Sequence, residues 1–215
     1  MKSIAILGLI TFALSFCGLS EKFKSLQSGA NTGTNSGSNS STASSKTTSG
    51  SPDGEKATLT PAQEQAIAGG DTISWDQQGI NWTVPKGWKK SDVSKLQFNY
   101  QSPDNAFLLV SVSEMSDDFP MEASLKAYYD QAMQQLKQGH YENVRMLNID
   151  GITGVEFVES PPEDKDGVRR HQWIGYRSYL GQKQQLNVML STKGSNFAKH
   201  DDDFPAIMYS MKSTK

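Results

Sequence analysis

Apolar residues are spread unevenly along this chain, and the unevenness divides it. Residues 4–16 (IAILGLITFALSF) carry no charge, whereas residues 28–51 (SGANTGTNSGSNSSTASSKTTSGS) hold no large apolar side chain. A segment of the second kind cannot bury enough surface to offset its ordering entropy, which predicts a flexible linker. Taken over the roughly 45 residues that separate the apolar stretch from the next structured segment, the root-mean-square reach of this linker is on the order of 40 Å. Near its end, Thr60, Pro61 and Gln63 have the spacing of a capping box with Pro at the first helical position, and Gly69-Gly70 is a stop. A short helix is expected there.

From residue 71 the pattern changes to alternation. Residues 72–75 and 80–84 read as paired strands joined at Gln77-Gln78-Gly79, and 96–101 and 106–113 as two more. In the last of these Ala106, Leu108, Val110 and Val112 line one face while Phe107 and Leu109 add apolar bulk to the other, the pattern of a central strand covered on both sides. Met121, Leu125, Tyr128, Ala132, Met133 and Leu136 then recur at helical spacing over 121–138. Residues 144–149 and 152–159 flank Asp150-Gly151, a strong hairpin signal, and 168–180 and 184–191 flank Gly181-Gln182-Lys183. A closing helix over 196–211 turns Phe197, Phe204, Ile207 and Met208 inward, with Pro205 as a kink or restart.

The order is four strands, a helix, four strands, a helix. Hairpin joins make the sheet mainly antiparallel, and each amphipathic helix needs an apolar face to cover. The expected fold class is therefore α+β, an α/β/α sandwich with a mainly antiparallel sheet flanked by two helices. The expected organisation is a signal-peptide-like leader over 1–16, a linker over 17–57, a short helix over 58–70 and one domain over 71–215.

Charge and cysteine content narrow the function classes. Lys and Arg number 21 and Asp and Glu 23, for a net charge of −2 in 215 residues, so the basic excess that drives nucleic-acid binding is absent. The single Cys, at position 17, excludes an intramolecular disulfide. It also falls where the apolar leader ends. That leader follows Lys2 and is shorter than the ~20 residues a membrane span needs, as in the hydrophobic region of an export signal.

Leu14-Ser15-Phe16-Cys17 resembles the lipobox of bacterial lipoproteins, with Phe16 standing where a small residue is usual. The resemblance implies that Cys17 receives a lipid and becomes the new N-terminus, which places the protein in the bacterial cell envelope, outer membrane or periplasmic face, attached to the membrane through Cys17. The domain in turn resembles the PsbP-like fold, a group that includes extrinsic photosystem II subunits, a Ran-binding import factor and DcrB-type envelope lipoproteins. The resemblance rests on Trp82-Thr83-Val84-Pro85-Lys86-Gly87-Trp88, on Asp150-Gly151-Ile152-Thr153-Gly154, and on the closing helix into Ser210-Met211-Lys212. It implies a binding or assembly role with an envelope protein partner more readily than catalysis.

Candidate sites are few. Arg169 and His171 share one face of a strand with Trp173, a set that could bind an anionic group or line the cleft of an enzyme of unrecognised type. Tyr176 and Tyr179 are candidates for an exposed aromatic patch. The acidic run 163–167 fails the calcium-loop pattern, since Pro162 and Trp173 occupy positions that require carboxylates. His200-Asp201-Asp202-Asp203 could offer at most two ligands to one ion, because consecutive helical residues point apart. Lys86, Lys89, Lys90 and Lys95 read as a solvated basic group. No nucleophile elbow, zinc-protease motif, phosphate-binding glycine loop or cysteine pair is present, and three His leave few general bases. The expectation is a non-catalytic module with no cofactor and no metal.

Overall fold

The structure, a computed structural model, describes residues 54–214. The apolar leader, Cys17 and the Ser/Gly-rich stretch lie outside the described residues. In chain order the elements are β1 (Glu55–Lys56), α1 (Pro61–Ala66), β2 (Asp71–Trp75), β3 (Ile80–Val84), β4 (Lys89–Val93), β5 (Gln97–Gln101), β6 (Phe107–Glu114), α2 (Met121–Lys137), β7 (Tyr141–Ile149), β8 (Ile152–Glu159), β9 (Val168–Tyr179), β10 (Gln182–Lys193), α3 (Gly194–Phe197), α4 (Asp203–Tyr209) and β11 (Lys212–Ser213).

An eight-stranded sheet runs β1-β7-β8-β9-β10-β6-β5-β4 and a three-stranded one β11-β3-β2. Every pair is antiparallel except β1 with β7. The fold is α+β around a large, mainly antiparallel sheet. Helix α4 and the small sheet share its inner face, where Trp75, Trp82, Leu108, Val188, Trp173, Phe204 and Ile207 form one core. Each such side chain contributes about 1.5–3 kcal/mol by leaving water. On the outer face α2 lies over β7, β8 and β9, with Ala132 against Val144, Val155, Phe157 and Ile174.

Local chemistry accounts for most boundaries. The capping box at α1 is formed, Thr60 accepting from the Gln63 backbone while Gln63 accepts from that of Thr60. Asp150 and Gly151 have φ of 50° and 90°, as a two-residue type I′ hairpin requires.

Elsewhere the structure differs from the pattern. The β9–β10 turn is Leu180-Gly181, one residue earlier than its polar residues indicate. The closing helix is broken: α3 runs into a 3-10 turn at Ala198–His200, and α4 restarts at Asp203, leaving Pro205 in a first turn where its missing N–H costs nothing. Strand β4 (KKSDV) has no apolar alternation; it is a charged edge strand, and edge strands do not need an apolar face. Glu55–Lys56, which the composition assigns to the linker, pairs with Leu147 and Asn148 at the opposite edge.

Candidate functional site

Strand β9 carries most of the residues the sequence singles out, and its pleat sends them to two faces. Arg169, His171, Trp173, Arg177 and Tyr179 point inward; Arg170, Gln172 and Tyr176 point outward. Trp173 is wholly enclosed, its indole N–H donating to the Leu147 carbonyl at 3.1 Å. It sits against Gly154 of β8 and Gly175 of β9, which face each other in register. A Cβ on either glycine would fall 2.4 Å from the ring. His171 is 6 % exposed and its Nε2 lies 2.8 Å from Glu156 Oε1. Arg169 donates to the Glu159 carbonyl and to the Glu142 carboxylate, and its guanidinium lies 4.1 Å from the Phe197 ring centroid. These three residues are thus part of the packing between the sheet and the elements on its inner face.

Glu156 is the centre of that packing. Its carboxylate accepts from Arg145 and from the Tyr209 hydroxyl as well as facing His171, so β7, β8, β9 and α4 meet on one buried charge. Burial opposes ionisation, but His171 and Arg145 outweigh it and hold the carboxyl at about 2. Burial, with Glu156 beside it, raises the Tyr209 phenol above its ordinary value.

Arg177 is buried without a carboxylate in ion-pair range among the described residues. It donates instead to the Gln184 side chain, to the Gln78 carbonyl and amide oxygen, and to Ser213, under the Tyr179 ring. Desolvation pushes it down to about 10. Tyr179 is therefore engaged on the inner side. Tyr176, three residues away and on the opposite face, packs at a tilt on Phe119 with ring centroids 5.4 Å apart and accepts from Gln185.

The other sequence candidates resolve locally. In the 161–167 loop Asp164 accepts from the Asp166 and Gly167 backbones, and Asp166 pairs with Lys193. His200 is buried between Asp104 at 3.1 Å and Asp203 at 3.2 Å. Lys95 pairs with Glu114, while Lys86, Lys89 and Lys90 are exposed. Among the described residues no three His, Cys, Asp or Glu side chains cluster to hold a metal, and no helix is long and apolar enough to cross a membrane.

What the pattern did not single out is the outer face beyond α2. Strands β5, β6 and β10 carry no covering element there. Gln97, Asn99, Leu109, Ser111, Asn187 and Met189 line an open groove of about 200 Å³ on that face. The register builds two rows across the three strands, Gln97–Ser111–Asn187 and Asn99–Leu109–Met189. The side chains of Gln97, Asn99 and Ser111 make no hydrogen bond to the protein among the described residues, and Asn187 uses only its oxygen, which accepts from Gln172 at 2.7 Å. Part of the signal was in the sequence. The second face of β5 and β10 alternates to Gln, Asn and Met, while Phe107 and Leu109 on that of β6 predicted a covered strand; the structure leaves that face open, because α2 lies over β7, β8 and β9 instead.

No protein-family model matches the chain, and no curated protein matches it. Among solved structures it is similar to a Bacteroides thetaiotaomicron protein at 12 % identity, over 64 % of this chain and 46 % of that one, with a TM-score of 0.36. It is similar to LpqN of Mycobacterium tuberculosis, described as involved in cell envelope biogenesis, at 14 % identity over 68 % and 86 % of the two chains, with a TM-score of 0.48. It is also similar to the cyanobacterial PsbP of Synechocystis, at 16 % identity over 67 % and 92 %, with a TM-score of 0.42. The chain spans about half of the Bacteroides protein.

Proposed function

We propose that this chain is an exported, lipid-tethered binding module of the bacterial cell envelope, non-catalytic, whose working surface is the open half of its large sheet. One observation carries the reading. Helix α2 covers β7, β8 and β9, while β10, β6 and β5 present unpartnered amide and hydroxyl side chains around Leu109 and Met189. Polar side chains left free beside an apolar pair in a concave face are what a ligand site offers. The enclosure of His171 and Trp173 supports a binding role over a catalytic one, because a reacting group must reach its substrate. The tether rests on the leader, on the place of Cys17 at its end and on the Ser/Gly-rich stretch, which together would hold the domain at a distance from the membrane. The near-neutral charge supports a partner other than nucleic acid.

Two variants of the full chain test the two halves of this reading. Cys17→Ala is expected to move the protein from the membrane fraction to the soluble one; retention in the membrane fraction overturns the lipid tether. A photo-crosslinking residue at Met189 is expected to form adducts in cells, and the same residue at Lys126, on the exposed side of α2, to form none. Equal labelling at both positions, or none at either, overturns the open face as the working surface.

A further inference from the structure

We infer that the groove on β5, β6 and β10 binds an uncharged, hydroxyl-rich ligand, a glycan chain laid across the strands. The inference deepens the proposed function and rests on it. It begins with the chemistry of the lining, in which no side chain is ionisable. Gln97 and Asn99 each offer an amide oxygen and an NH2, Ser111 offers a hydroxyl, and Asn187 keeps its NH2. Such groups both donate and accept, which matches a sugar hydroxyl that does the same. An anion or cation laid here would lose its hydration without gaining a counter-charge. On the β4 side the two charges in register with this face are of opposite sign, Asp92 opposite Asn99 and Lys89 opposite Gln101.

The geometry fits a ring with one polar edge and one apolar face. Neighbouring strands lie about 4.8 Å apart and successive residues on one face about 6.7 Å apart. The amide and hydroxyl row Gln97–Ser111–Asn187 thus runs beside the apolar pair Leu109–Met189, at about the width of one sugar ring. The lane continues in neutral side chains, with Gln185 and Tyr176 at one end and Phe107 at the other. An apolar helix is a poor occupant, because it would bury the unpaired amides of Gln97 and Asn99 and the free NH2 of Asn187. An extended peptide strand finds no free backbone edge here, since β6 is paired on both sides and the groove is a face.

The side-chain amides are themselves the reporters. The isotope-labelled full chain would be titrated with chitotetraose and with maltotetraose, following the NH2 resonances of Gln97, Asn99 and Asn187 by NMR. One of these neutral saccharides is expected to shift them and to leave the exposed side of α2 unmoved. Asn99→Leu and Asn187→Leu, each with an otherwise unchanged spectrum, are expected to weaken binding about tenfold, the loss of one well-placed hydrogen bond. A charged oligogalacturonate that shifts these resonances while both neutral saccharides do not overturns the inference. A peptide of sequence 28–51 that does so alone overturns the glycan and leaves a binding surface standing. Silence with every probe overturns the inference; if crosslinking at Met189 is also absent, the proposed function falls with it.

Discussion

Leu180 is placed where two preferences run against it. It is the first central residue of the β9–β10 hairpin turn, at φ 51°, and it is 88 % exposed. Left-handed backbone costs an ordinary side chain about 1 kcal/mol, and Asn tolerates it better because its side chain bonds locally. Exposure means that little packing offsets the cost. Leu180→Asn is therefore expected to stabilise the domain by about 0.5–1 kcal/mol, read as a higher urea midpoint with an unchanged slope. A lower midpoint would mean that Leu180 is held by contacts its exposure does not reveal. Arg177 shows the opposite case, a charge kept inside by hydrogen bonds and the Tyr179 ring with no carboxylate beside it; its partners Gln78 and Ser213 lie 99 and 36 residues away in sequence. No local pattern could have announced it.

Between elements, His200 decides how the broken C-terminal helix is fastened. Its Nε2 meets Asp104 from the β5–β6 turn, its Nδ1 meets Asp203 of α4, Asn196 approaches from α3, and the ring stacks at 4.9 Å on Phe204. Burial alone would lower the imidazole, but hydrogen bonding to Asp203 and the charge of Asp104 outweigh it and raise it. Its contribution to stability is then fully present below its unfolded value of about 6.5 and is lost as the pH climbs through the raised folded value. Asp104 is lowered against the pull of burial, chiefly by the Ser102 hydroxyl, so its share is present above its unfolded value and lost as the pH falls through the folded one. Unfolding free energy should therefore decline as the pH rises from the unfolded imidazole value of about 6.5 through the raised folded one, and His200→Gln should flatten that decline. An unaltered slope in the variant would show that another group is responsible.

This same region marks what was legible in the sequence. Strands β2, β3 and β5 to β10, helix α2 and the Asp150-Gly151 turn followed from alternation, helical period and turn chemistry, and so did the mainly antiparallel sheet. Of the break at Ala198–His200 only Pro205 gave a sign, since the carboxylate that fastens His200 comes from a turn 96 residues earlier. The faces of β9 were legible, so Arg169, His171 and Trp173 fell together as the pleat requires. Their enclosure was not, because it depends on Gly154 and Gly175 leaving room for the Trp173 ring and on Tyr209 reaching Glu156. The apolar second face of β6 indicated a covered strand; Phe107 and Leu109 instead border the open groove, which depends on where α2 ends up.

At the scale of the whole molecule, the first elements after residue 54 are small and bury no residue of their own, yet both are fastened to the domain. Strand β1 adds two parallel pairs to the edge of β7, and the Ala57 amide continues the ladder by donating to Asn148 at 2.8 Å. Glu55 meets Arg145 at 3.4 Å, an ion pair half in water that contributes little. Helix α1 packs on α4, and Ala57 and Ile67 lie against the main cluster. Burying a partly covered Ile with two ladder bonds amounts to about 1–3 kcal/mol, which for a domain of this size is several degrees in Tm. Two truncations measure it. Residues 54–215 are expected to unfold in one transition at the midpoint of the full chain, and residues 71–215 in one transition several degrees lower. The shorter fragment should also self-associate, since removing β1 bares more of the β7 edge, and an unpaired edge is a template for further strands. If 71–215 matches 54–215 in both respects, β1 and α1 only decorate the domain. If it falls as expected, β1 and α1 are part of the unit that unfolds cooperatively, and the edge of β7 depends on them.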